Sequence, residues 1–101
     1  MDFEFDQLKR EFLREATSKV DEIAELLKGG IGETERERAF YLAHQLKGAG
    51  GSYGFGTIST EAAALERELE KKPPDAATIQ TRVTHLSAVI REREQELTQQ
   101  G

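Results

Sequence analysis

His44-Gln45-Leu46-Lys47-Gly48-Ala49-Gly50-Gly51-Ser52-Tyr53-Gly54-Phe55-Gly56 is the stretch in which one helical pattern ends and another begins. Upstream of it, Ala39, Leu42, Ala43, Leu46, Gly50 and Tyr53 recur at steps of three and four, the inward stripe of an amphipathic helix. Thr34 followed by Glu37 reads as a capping box at its start, and Gly54-Phe55-Gly56 breaks it. Downstream, Ile58, Ala62, Leu65 and Leu69 form a second stripe that stops before Pro73-Pro74, because proline turns the preceding residue away from helical angles. Asp75 can cap a further helix carrying Ile79, Val83, Leu86, Ile90 and Leu97. At the other end, Phe5, Leu8, Phe12, Ala16, Val20, Ile23 and Leu27 mark a long first helix closed by Gly29-Gly30 and Gly32. Four amphipathic helices with short connections predict an all-α, antiparallel up-down four-helix bundle, with residues 1–101 forming one domain. The sequence has no internal repeat, low-complexity segment or strand-like alternation.

A length of 101 residues leaves no room for a second domain, and 33% charged residues suit helices that each expose a full face. Mixed charge runs at Glu33 to Arg38 and Glu92 to Glu96 read as solvated helix ends. The absence of cysteine excludes disulfides, thiolate metal sites and cysteine nucleophiles. A net charge of -5 has the wrong sign for nucleic acid or an anionic bilayer, so a protein partner or a small ligand is favoured. The acidic start from Met1 to Asp6 lacks a basic leader segment and no stretch approaches membrane-spanning length, so a cytoplasmic location and no membrane contact are expected. A monomer is expected.

The glycines Gly48, Gly50, Gly51, Gly54 and Gly56 crowd one segment, and each in a helix interior costs roughly 0.8–1 kcal/mol relative to Ala. Close packing or close approach of a partner would compensate. Gly50 lies on the inward stripe, where it lets helices approach. Gly48, four residues past His44, and Lys47, three past it, leave space and positive charge beside the imidazole. These glycines do not cradle a nucleotide: no Gly-Lys-Ser/Thr ending is present, and Tyr53 stands where the dinucleotide fingerprint needs its third glycine. His44 and His85 fall on different helices without a His-Glu-x-x-His run, so no metal site is expected.

Alone, His44 would be an ordinary surface histidine. Its neighbours on the same face are Phe40, Tyr41, Lys47, Gly48 and Gly51, which, if exposed, form a docking strip around a nucleophile; otherwise Phe40 and Tyr41 flank the core. The midpoint of residues 44 and 66 is 55, the centre of the turn, so an antiparallel hairpin sets Glu66 level with His44. A carboxylate there can accept the Nδ1 proton, hold one tautomer and leave Nε2 as nucleophile. The competing reading is an exposed Glu66 paired with the neighbours of Glu70 or with Lys47.

The run Ala43-His44-Gln45-Leu46-Lys47-Gly48, followed by Gly54 and then Ile58, Ala62, Leu65 and Glu66, resembles the signature of histidine-containing phosphotransfer (HPt) domains. The resemblance implies a phosphorelay carrier in which His44 bears the phosphoryl group on Nε2, Lys47 neutralises it, Gly48 gives an incoming active site room and Glu66 holds Nδ1. It implies a receiver domain of a response regulator or hybrid kinase as partner, with the aspartate and Mg²⁺ on that partner, and neither a cofactor nor kinase activity here. The competing reading is a helical adaptor that binds without phosphorylation.

Overall fold

The computed structural model describes residues 3–100, so the reading of Met1-Asp2, like Gly101, lies outside the described residues. Four helices run in order: α1 (Phe3–Leu26), α2 (Glu33–Ser52), α3 (Gly56–Glu70) and α4 (Ala76–Gln100). Each packs against two others, α1 and α3 on both α2 and α4, which is the ring of an up-down four-helix bundle. The body measures 48 × 20 × 17 Å.

The stripes supply the core. Phe12, Ala16, Val20 and Ile23 of α1 meet Ala39, Leu42, Ala43 and Leu46 of α2, Ile58, Ala62, Leu65 and Leu69 of α3, and Ile79, Val83, Leu86, Ile90 and Leu97 of α4, all buried. Full burial of a Leu or Ile side chain is worth about 1.5–3 kcal/mol. Exposed ion pairs such as Arg38–Glu22 are screened by solvent and add little, so the apolar stripes hold the bundle.

Three local expectations differ from the structure. Phe5 and Leu8 are exposed, because the α2–α3 turn packs most closely on Phe12: its ring stacks on Tyr53 and Phe55 at 5.2 and 5.8 Å, while Phe5 stacks on Tyr53 more distantly, at 6.3 Å. Leu13, outside the one-sided stripe, is fully buried, since α1 has helices on two sides and needs a wider apolar face. The Thr34–Glu37 capping box does not form; α2 starts at Glu33 after an extended Gly32, whose carbonyl accepts the Arg36 N–H.

The two ends of the helical hairpins are closed by backbone chemistry. At the end of α2, the Phe55 N–H donates to the Gly50 carbonyl and the Gly54 N–H to that of Gly51, with Gly54 at φ +82°, a Schellman ending that only glycine adopts cheaply. Asp75 Oδ1 accepts the N–H groups of Ala77 and Thr78 at 3.1 and 3.2 Å, the N-cap expected for α4. The backbone hydrogen bond from Thr78, first among several donors, holds the Asp75 carboxyl below its ordinary range.

Candidate functional site

α2 and α3 are the most closely apposed pair, and a glycine makes this possible. A Cβ at Gly50 would lie 3.2 Å from the Ser59 backbone nitrogen and 3.4 Å from the Phe55 carbonyl oxygen. Two turns up α3 from Ser59, Glu66 emerges beside the buried Leu65 and is itself buried. Its carboxylate faces α2.

There it meets two groups. Glu66 Oε2 lies 2.7 Å from His44 Nδ1, and Glu66 Oε1 accepts a hydrogen bond of 2.8 Å from Lys47 Nζ. His44 and Lys47, three apart on α2, therefore share one carboxylate, each taking one oxygen. His44 and Lys47, each weighed as a partner of Glu66 from the sequence, are both present, and Glu66 is buried, not exposed. Of the influences on Glu66, burial is the strongest and opposes ionisation; the hydrogen bonds and charges of Lys47 and His44 together outweigh it and hold the carboxyl below its ordinary range. A carboxylate accepts only, so Nδ1 is the protonated nitrogen of a neutral His44 ring and Nε2 keeps its lone pair. The His44 side chain is 60% exposed against 11% for Glu66, so the carboxylate is buried while the ring is open to solvent.

The surroundings keep that approach clear. A Cβ at Gly48 would meet nothing within 4 Å, and at Gly51 only the Ser59 hydroxyl at 3.9 Å. Phe40 is half-buried against the core, its ring parallel to the imidazole within 10° at 6.3 Å between centroids. Tyr41 is exposed, with the Arg38 guanidinium over its ring and Gln45 Nε2 donating to its hydroxyl. Phe40, Tyr41, His44, Lys47, Gly48 and Gly51 thus follow one face of α2, and Glu66 joins it from α3. His85 stands on exposed α4 surface, apart from this face.

The family model for the Hpt domain matches residues 7–99. The chain belongs to the Hpt family. Comparison with curated proteins and with solved structures gave no match. Hpt domains are phosphotransfer carriers in phosphorelays that interact with receiver domains of response regulators, and a four-helix bundle is their fold. In this Hpt domain, no helix of the described residues is long and apolar enough to cross a membrane.

Two contributors escape the sequence reading. Ser59 donates its hydroxyl to the Lys47 carbonyl at 2.8 Å, tying α3 to the turn of α2 that holds the site. The same midpoint count that pairs Glu66 with His44 sets Ser59 opposite Gly51, which was the available signal. Arg36 reaches from α2 to the Leu69 carbonyl at 3.0 Å, and nothing in its spacing distinguishes it from the other solvated charges of that turn.

Proposed function

We propose that this Hpt domain accepts a phosphoryl group on Nε2 of His44 from the phosphoaspartate of a receiver domain, and returns or forwards it to an aspartate by the reverse step. The observation that carries this reading is the 2.7 Å contact of His44 Nδ1 with Glu66 on an otherwise exposed ring. The Nε2 lone pair forms the N–P bond as the aspartyl O–P bond breaks, and the aspartate leaves as a carboxylate. No proton has to move. Because Nδ1 keeps its hydrogen, the ring acquires positive charge as the bond forms, and the Glu66 carboxylate stabilises that charge from a position fixed beforehand.

Lys47 carries three N–H donors and spends one on Glu66, leaving two for the phosphoryl oxygens at its partly exposed end. Gly48 leaves room for the partner's active site, and Phe40, Tyr41 and Gly51 form the docking strip. Mg²⁺ and the acidic residues that bind it belong to the receiver. On this reading the chain presents a nucleophile and carries a group; the chemistry of phosphorylation is not its own.

The test is transfer from a phosphorylated receiver to the purified domain. An acid-labile label is expected on the wild type and on His85→Gln, and none on His44→Gln. Label that survives His44→Gln and disappears with His85→Gln would overturn the assignment. Tight receiver binding without any label would favour an adaptor.

A further inference from the structure

We infer that Ser59 is a positioning residue for the His44 site: its hydroxyl sets the register of α3 against α2, so that one Glu66 carboxylate reaches both His44 and Lys47. The inference rests on the proposed role of His44 for its functional consequence, while its structural part stands without it.

A hydroxyl inside a helix usually turns back to the carbonyl four residues earlier. Thr60, Thr81, Thr84 and Thr98 do this, donating to Gly56, Ala77, Gln80 and Glu94. Ser59 instead donates across the helix pair to Lys47 at 2.8 Å. Its own backbone nitrogen is the atom nearest to where a Gly50 side chain would begin, at 3.2 Å. The missing side chain of Gly50 thus brings Ser59 close enough to reach α2, and the hydroxyl makes that approach directional. The carbonyl chosen belongs to Lys47, the residue whose ammonium shares Glu66.

Ser59 and Glu66 stand seven residues apart, two turns along the same face of α3. A slip of α3 by one residue moves Glu66 by about 1.5 Å along α2. A shift of that size cannot leave contacts of 2.7 and 2.8 Å to two groups on one helix both in place. Arg36 pins the opposite end of the pair to Leu69, eight residues from His44 on α2 and three from Glu66 on α3, whereas the Ser59 bond lies three residues from His44 and seven from Glu66. The two bonds bracket the site, and that of Ser59 is the nearer on the helix that carries His44 and Lys47.

Ser59→Ala removes the hydroxyl and places a good helix former in a helix, so the bundle stays folded. The readout is the ring nitrogen chemical shifts of His44 in the unphosphorylated domain near pH 8, which report the tautomer whether or not the ring ever carries phosphate. The expected result is a loss of the Nδ1-protonated pattern in Ser59→Ala and its return in Ser59→Thr, which keeps the hydroxyl. Transfer from a phosphorylated receiver should slow on the order of tenfold in the Ala variant, in line with the sensitivity of such reactions to sub-ångström placement. Leu97→Ala, remote from the site, lowers stability and should leave the His44 nitrogen shifts in place. Wild-type His44 shifts in Ser59→Ala would overturn the inference, as would a Thr variant that behaves like Ala. Failure of His44 to take label would instead count against the proposed function and leave the tautomer result standing.

Discussion

Gly48 and Gly50 stand two residues apart on α2 and should answer the same substitution in opposite ways. At Gly48 an added methyl meets open space, so Gly48→Ala gains helix propensity worth up to about 1 kcal/mol and raises the thermal midpoint. That methyl also occupies open space on the face that carries His44, where a partner would approach, so transfer should slow, and more so in Gly48→Gln. At Gly50 the methyl would press on the backbone of Ser59 and Phe55, which cannot swing aside. Overpacking costs about 1–3 kcal/mol, which outweighs the propensity gain, and Gly50→Ala should melt lower than the wild type. Thermal unfolding of both variants reads the sign in each case. The positions differ only in which face of one helix they occupy, and spacing from His44 and from the apolar stripe already distinguishes them in the sequence. The spacing also places Glu66 level with His44, but not the sharing of its two oxygens, since a carboxylate weighed against one partner at a time looks like a choice.

At the scale of elements, the α2–α3 hairpin is the unit that assembles the site, with Arg36–Leu69 and Ser59–Lys47 as side-chain-to-backbone ties beside the shared Glu66 carboxylate. Its turn depends on Gly54 at φ +82°, where an L side chain costs about 1–2 kcal/mol although it would touch nothing. Gly54→Ala should therefore lower the thermal midpoint by several degrees, given about 4–8 °C per kcal/mol for a domain near this size. An unchanged midpoint would mean the turn tolerates a different closure. The helices themselves are legible wherever a stripe faces the middle of the bundle: Ile58, Leu65, Leu69, Ile79, Leu86 and Ile90 are all fully buried. The pattern is less informative at ends. Phe5 and Leu8 keep the period of α1 where the α2–α3 turn covers it incompletely, and Thr34–Glu37 matches a cap one step after the helix has begun. Ser59 was not legible as a tie because a serine in a helix has a local acceptor four residues back, and only the approach allowed by Gly50 offers it a better one.

For the whole molecule, the carboxylates held below their ordinary range make stability depend on acid. Glu66 has a folded pKa depressed by Lys47 and His44 against an opposing burial effect, and Asp75 one depressed by the backbone donors of its cap. A depressed carboxylate contributes stability above its unfolded pKa and loses it as pH falls through the folded value. The bundle should thus hold its thermal midpoint down to about pH 4 and lose stability progressively below it. Glu66→Gln should flatten part of that loss, and an unaltered acid profile would show that the shared carboxylate is not what the acid titrates. The account as a whole depends on one bond, between phosphorus and Nε2 of His44. Nuclear magnetic resonance of the phosphorylated, nitrogen-labelled domain locates it directly. The expected spectrum couples phosphorus to Nε2 of His44 while Nδ1 keeps its proton toward Glu66; phosphorus on Nδ1, or on His85, would contradict the account.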